Sequence, residues 1–482
     1  MANGTTSVPP NKQLQRTVIP DRWRGARPLN CGQLGATMMT SKPKHGAIIL
    51  CTFLSLASAP AALGQTAAES RLASQSDQFR REIVELTAGV HVAVGYGVSN
   101  SVLIEGDSGV IIVDTLEGDA PAREVKAAFD RITTKPVVAI IYTHNHRDHI
   151  LGSDIFAGDG HPAVYANVRF TSEELSNSPV RAAIATRSRR QFGATLPAEE
   201  RLNLGIGPQM RIDADGFLQP TITFDDELST TIAGVKVRLV HAPGETRDQI
   251  YVLLPDKRVL FPGDNYYHAF PNLYAIRGTP YRDVREWADS LTKMIGENAQ
   301  YLVPSHTRPV SGEREVRERL TTYRDAVSFV YQATIDGINA GKTPNQIAHA
   351  VRLPESLAAA PYLQEFYGTV PWAVRAIYSG ELGWFSGNAS ELFPLSDQER
   401  AERMVDLAGG VAQLLAAAER ALEAADYQWA AELADDVLAL EPLHQEARAM
   451  KSPALEEQAR QQISANARNY FLSSALELRR PQ

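Results

Sequence analysis

The chain has 482 residues, of which 44% are hydrophobic and 22% charged, and its formal net charge is -8. These values fit a soluble globular protein of more than one domain; they exclude a disordered chain and speak against the basic face of a nucleic-acid binder. An anionic small molecule would need a local positive site, because the field of the whole chain does not attract it.

Lys42, Lys44 and His45 precede an apolar run from Ala47 to Leu56, followed by Ala57-Ser58-Ala59 and Ala62-Leu63-Gly64. This pattern predicts a signal peptide over 38–64, with 1–37 as an upstream extension and the mature protein periplasmic or secreted. The run is too short and too rich in Ser and Ala for a stable membrane span. Both cysteines, Cys31 and Cys51, fall in this stretch. The mature chain therefore has no disulfide, thiolate ligand or cysteine nucleophile, and any metal must be held by His, Asp and Glu.

Strands are expected at 90–98, 101–105 and 110–113, the last two joined by the turn Gly106-Asp107-Ser108-Gly109. Residues 119–132 have helical spacing, with Ala122, Val125, Ala128, Phe129 and Ile132 on one face. Val137 to Tyr142 is a continuous apolar run, which suits a strand buried on both faces. Further strands are expected at 235–240, 250–254, 259–261 and 301–303, with a helix at 283–298. Strands with outer helices imply an α/β sandwich over 75–312. After 313 the strand signal disappears. Glu313 to Asn339 reads as one long helix. Leu414, Leu415, Ala418 and Leu422 then face Trp429, Leu433, Val437 and Leu440 in a helical-repeat-like hairpin turning near Asp426-Tyr427. Residues 313–482 are read as an all-helical domain for packing or association.

The chemistry concentrates at Thr143-His144-Asn145-His146-Arg147-Asp148-His149, directly after an apolar strand. His144 and His146, two apart in extended chain, point the same way. Such a cluster supplies two imidazoles to one metal, then Asp148 and His149 to a second. Glu245, Asp264 and His306 each follow a later strand, where an α/β fold places its chemistry. Seven His and acidic ligands suit an open pair of Zn²⁺ ions, which acidify a bound water and polarise the substrate. Asp114, ending the strand 110–113, is placed either to orient a metal-bound imidazole or to cap a turn.

Thr-His-x-His-x-Asp-His, Gly263-Asp264 and the late His306 resemble the metallo-β-lactamase superfamily. The resemblance implies a four-layer αββα sandwich with two metals at one edge. Where that superfamily usually has Pro-Gly-His-Thr, this chain has Pro243-Gly244-Glu245-Thr246, which is similar to the zinc-dependent alkyl sulfatase branch. There a glutamate is a ligand and an acid nineteen positions on bridges the metals; His241 is the fallback should Glu245 not serve. The stretch Asn272-Leu273-Tyr274-Ala275-Ile276-Arg277-Gly278, followed by Arg282-Asp283, is similar to the branch's sulfate-binding segment, so Asn272 and Arg277 are implied substrate contacts. A guanidinium suits a planar pair of oxyanion oxygens. By the same resemblance His268 protonates the leaving alcohol or steadies the sulfate, and Asp148 stands with it among the catalytic residues. Arg375 to Asn388 resembles the branch's helical dimerisation domain, which implies a homodimer. Such enzymes usually carry a further sterol-carrier-like domain, and the expectation is a chain lacking it. The function expected is hydrolysis of a small anionic alkyl sulfate ester. The alternatives are the same chemistry on a β-lactam, lactone or phosphodiester, and a helical adaptor with an idle metal fold.

Overall fold

A computed structural model describes residues 65–171, 178–214 and 216–480. The segments expected to be an extension and a signal peptide, 1–37 and 38–64, lie outside the described residues. The described residues form one compact unit. The strands are β1 Glu82–Thr87, β2 Val90–Val94, β3 Ser101–Glu105, β4 Val110–Val113, β5 Val137–Ile141, β6 Ala163–Asn167 and β7 Ile222–Phe224, then β8 Glu227–Ile232, β9 Val235–His241, β10 Ile250–Leu254, β11 Val259–Phe261, β12 Tyr301–Leu302 and β13 Val310–Ser311.

The first seven make one sheet in chain order, antiparallel from β1 to β4 and parallel from β4 to β7. The other six make a second sheet in the order β13-β12-β11-β10-β9-β8, with β11 and β12 its parallel pair. Period-two alternation sorts the side chains between layers. Ile111, Val113, Ala139 and Ile141 pack across the sheets onto Val237, Leu239, Val252 and Phe261. Their neighbours Val110, Ile112 and Ile140 face the helix Asp119–Phe129 through Ala122, Val125 and Phe129. On the far side Val240, Tyr251, Leu253 and Leu260 meet Val284, Trp287, Leu291 and Met294 of the helix Val284–Gly296. Three apolar seams thus separate four layers, αββα. Slipping any inner strand by one residue would exchange its two faces, so register is strongly specified.

The helix Glu313–Asn339 packs Val316, Leu320, Tyr323 and Val327 into the same seam as Val284–Gly296. Helices at Pro344–Ala350, Val370–Leu382, Asp397–Ala408, Val411–Glu423, Tyr427–Leu440, Gln445–Arg460 and Ala465–Arg479 follow. In the expected hairpin Leu414, Leu415, Ala418, Leu433 and Val437 do pack together. Two expected face residues do not. Trp429 is 45% exposed, because the contact runs through Ala430, Leu433, Ala434 and Val437 and leaves the indole at the edge. Ile132 is also exposed, since its helix stops at Phe129. Among the described residues no helix is long and apolar enough to cross a membrane.

Candidate metal centre and its cleft

The C-terminal ends of β4, β5, β9, β11 and β12 deliver Asp114, the segment 143–149, Glu245, Asp264 and His306. Local backbone is shaped for this. Gly263 has φ +59°, and a Cβ there would meet the Gln249 amide at 1.9 Å, so only glycine lets the chain turn Asp264 inward. Asp114 holds φ 56°, a left-handed conformation costing about 1 kcal/mol or more in a non-glycine residue. Its carboxylate accepts from the Thr143 backbone N–H at 2.9 Å, the Thr143 hydroxyl at 2.8 Å and the Ser305 hydroxyl at 2.9 Å. A fourth contact, 2.8 Å, is to His149 Nδ1.

His144, His146 and Asp264 form one set whose ligand atoms lie within 4.8 Å of one another, and Asp148, His149 and His306 form a second. Asp264 Oδ2 sits between them, 3.7 Å from His144 Nε2, 3.6 Å from His149 Nε2 and 3.1 Å from His306 Nε2. Asp148 Oδ2 is 3.5 Å from His149 Nε2 and 3.4 Å from His306 Nε2. Glu245 Oε1 joins the edge of the first set, 4.0 Å from His146 Nδ1. The outer nitrogens are fixed: His306 Nδ1 donates to the Val98 carbonyl at 2.8 Å, as His149 Nδ1 does to Asp114. That leaves each Nε2 lone pair aimed inward.

Burial would raise the Asp148 and Asp264 carboxyls, but the surrounding imidazoles outweigh it and hold both well below the usual range. Burial likewise lowers His149 and His306, and the carboxylates reverse it, raising His149 well above normal and His306 to about 8. Burial takes His144 down to about 3 and Glu245 up to about 7, the latter against the pull of Arg282. A cluster whose acids drag protons onto two buried imidazoles is short of positive charge. His149 Nε2, Asp264 Oδ1 and Glu245 Oε2 are moreover buried with no hydrogen-bond partner. Each such orphan costs about 1–3 kcal/mol, so these residues fit a pair of divalent cations.

The cluster opens into a cleft of about 880 Å³. Asn145, His146, Glu245, Arg277 and Arg282 line its floor, with Val180, Ile184, Pro243 and Tyr281 on its walls. Arg277 places Nη2 3.5 Å from His146 Nε2 and, among the described residues, pairs with no carboxylate. This is the local positive site that an acidic chain needs for an anion.

Residues 94–306 match the family model of the metallo-β-lactamase superfamily, and residues 343–481 match that of alkyl sulfatase dimerisation. A linear primary-alkylsulfatase of Pseudomonas sp. (strain ATCC 19151) is 39% identical over 386 residues, covering 78% of this chain and 73% of that protein. The chain belongs to the alkyl sulfatase family. An (R)-specific secondary-alkylsulfatase of Pseudomonas sp. is 30% identical over 415 residues, 82% of this chain and 62% of that one. The solved structure of a stereoselective inverting sec-alkylsulfatase from Pseudomonas sp. superposes with a TM-score of 0.80 at 29% identity, covering 85% of this chain and 68% of that one. The family thereby assigns this chain to the metal-dependent hydrolases, with a double His/Asp cluster suited to a binuclear centre.

All seven side chains expected as ligands converge. His241 does not: its Nε2 lies 2.8 Å from the Arg247 carbonyl, outside the cluster. Nor does His268. Its ring lies edge-on to Tyr362, 6.1 Å between centroids, and burial with the nearby Arg319 lowers it to about 4. Tyr267, one residue earlier, turns its ring toward His306, and successive side chains in extended chain point oppositely. Asn272 is buried, its N–H donating to the Tyr267 hydroxyl at 2.7 Å and its Oδ1 unpartnered. Arg282 belongs to the stretch that resembles the sulfate-binding segment but has no role implied there, and Glu117 carries no sequence signal of its own. Arg282 is buried and pairs with Glu245 Oε1 at 2.7 Å. Glu117, fully buried and pushed up to about 7 by that burial, accepts from the Val98 N–H at 3.0 Å and so braces the loop that orients His306.

Proposed function

We propose that the protein hydrolyses alkyl sulfate esters to alcohol and sulfate with two Zn²⁺ ions, and that it does so as a secreted or periplasmic homodimer. The observation that carries this reading is Arg277: a cationic side chain without a carboxylate partner among the described residues, in the cleft beside His146. A histidine and carboxylate donor set suits zinc. When bound, the ions supply an acidified water and a Lewis acid for the ester.

The chain's own residues do the rest. His144, His146, Glu245, Asp148, His149, Asp264 and His306 would hold the two ions. Asp114 and the Val98 carbonyl fix which nitrogens of His149 and His306 face inward. Arg277 takes the sulfate oxygens, in an enclosed site where such contacts are stronger than in water. Asn272 steadies the same stretch through its backbone, whose N–H donates to the Tyr267 hydroxyl and whose carbonyl accepts from Arg282. Val180, Ile184, Pro243 and Tyr281 offer the alkyl chain an apolar path outward. Support for export is the apolar run Ala47 to Leu56 after Lys42 and Lys44; support for the dimer is the match at 343–481.

The test is a hydrolysis screen of the zinc-loaded chain over short and long alkyl sulfates, a β-lactam, a lactone and a phosphodiester, with and without chelator. Sulfate esters should be cleaved, chelator should abolish it, and Arg277→Ala should lower kcat/KM by about 100-fold. No cleavage of any sulfate ester, or preferential cleavage of the lactam, lactone or phosphodiester, would overturn the assignment.

A further inference from the structure

The helix Arg181–Gln191 forms one wall of the cleft, presenting Ile184 and Arg187 to it. Its sequence is surface-like, with four arginines, and Gln191 is its one buried residue. A glutamine with no exposed surface requires partners. Its Oε1 accepts from the Arg277 backbone N–H at 2.9 Å. The turn carrying Arg277 leans on the same helix, since a Cβ on Gly278 would sit 3.4 Å from Ile184.

The other side of Gln191 is held by the last helix, Ala465–Arg479. Asn469 Nδ2 donates to the Gln191 carbonyl at 3.3 Å, and the Ser473 hydroxyl to the Arg190 carbonyl at 3.4 Å. Glu477 takes the Arg190 guanidinium through Nε at 3.1 Å and Nη2 at 2.6 Å. Asn469, Ser473 and Glu477 recur every four residues and so share one face of that helix. A face of the helical region thus grips the end of a cleft helix, whose buried amide grips the backbone of Arg277.

We propose that Gln191 is a positioning residue for Arg277, through which the helix Ala465–Arg479 holds the anion-binding side of the cleft in place; this rests on Arg277 being the sulfate contact. Gln191 touches neither metal cluster nor cleft. Its loss lets the origin of a long side chain wander, which weakens oxyanion binding and leaves the metal site unaltered. A misplacement of about 1 Å in such a group is costly.

The experiment uses the full zinc-loaded chain with Gln191→Met, of similar reach but without the acceptor. Q191M should raise KM for a short alkyl sulfate, and the inhibition constant of inorganic sulfate, about tenfold, with kcat within about threefold and metal content unchanged. Q191M should add nothing in an Arg277→Ala background. Equal losses in that background, or a loss of metal or kcat as large as the change in KM, would overturn the proposal. Should Q191M not fold, Glu477→Gln at the partly exposed end should raise KM about twofold to threefold, and no rise would overturn it. Amide hydrogen exchange over 272–280 separates this from the substrate assignment. Faster exchange there in Q191M, or in E477Q, with β10 unchanged supports the coupling even if no sulfate ester is cleaved, and unchanged exchange refutes it.

Discussion

The two halves of the molecule depart from ordinary burial in opposite directions. At the strand ends, Asp114, His144, His149, Glu245, Asp264 and His306 are all buried, although such groups normally seek water. Past the helix Val370–Leu382 the reverse holds: Trp384 is 71% exposed, Phe393 95% and Leu407 84%, although such groups normally avoid it. Each anomaly marks a partner outside the chain. Buried acids and imidazoles with inward lone pairs ask for cations; exposed aromatics on a segment matching a dimerisation family ask for another protein surface.

The comparison breaks most decisively at Asp264. One of its oxygens faces both ligand sets, so a neutral amide there removes charge from both at once. Asp264→Asn should lower kcat/KM by at least about 1,000-fold and cut bound zinc from about two per chain to one or fewer. Metal analysis beside a rate assay checks this. A variant that keeps two tightly bound ions would show that the buried cluster is not built around a shared carboxylate.

The strand half was legible because its signals are local. β3, β4, β10 and β11 occupy the expected spans, each pair closed by a turn: Gly106-Asp107-Ser108-Gly109 or Pro255-Asp256-Lys257. A His or acid just past an apolar run is placed by the strand before it, which is why six of the seven expected side chains meet in the two ligand sets, with Glu245 at the edge of the first. What the sequence hid is non-local. Arg282 is buried only because Glu245 comes to it, and Gln191 only because Arg277 and Asn469 do. His268 was displaced by a one-residue phase, with Tyr267 taking the inward face. In the helical half the apolar face of Tyr427–Leu440 was legible, but alanines carry more of the contact than the large residues suggested, and Trp429 was left outside.

A smaller effect is expected at Asp114. Its carboxylate is no ligand; it gathers Thr143, Ser305 and His149 and fixes the His149 tautomer. Asp114→Asn keeps the shape but offers an amide N–H where His149 Nδ1–H or a hydroxyl donates. Zinc affinity should fall about 10-fold to 100-fold, measured by competition with a chelating dye. An unchanged affinity would mean that the left-handed turn serves only the backbone.

The smallest effect on catalysis, and the sharpest test of the helical half, lies in the exposed segment. Trp384 and Phe393 lie far from the metal ligands in sequence, and neither lines the cleft. Removing an aromatic ring from water contributes about 2–3 kcal/mol, and in a two-fold dimer each substitution acts twice. Trp384→Ser with Phe393→Ser should therefore raise the dimer dissociation constant at least about 100-fold, read by sedimentation across a concentration series. The kcat per chain for a short alkyl sulfate should stay within about twofold, because Arg277 is anchored from within its own chain through Gln191. A double variant still dimeric at nanomolar concentration would move the interface elsewhere in 343–481. A monomer that has lost its rate would mean that the second copy, and not the helix Ala465–Arg479 alone, holds the cleft in shape.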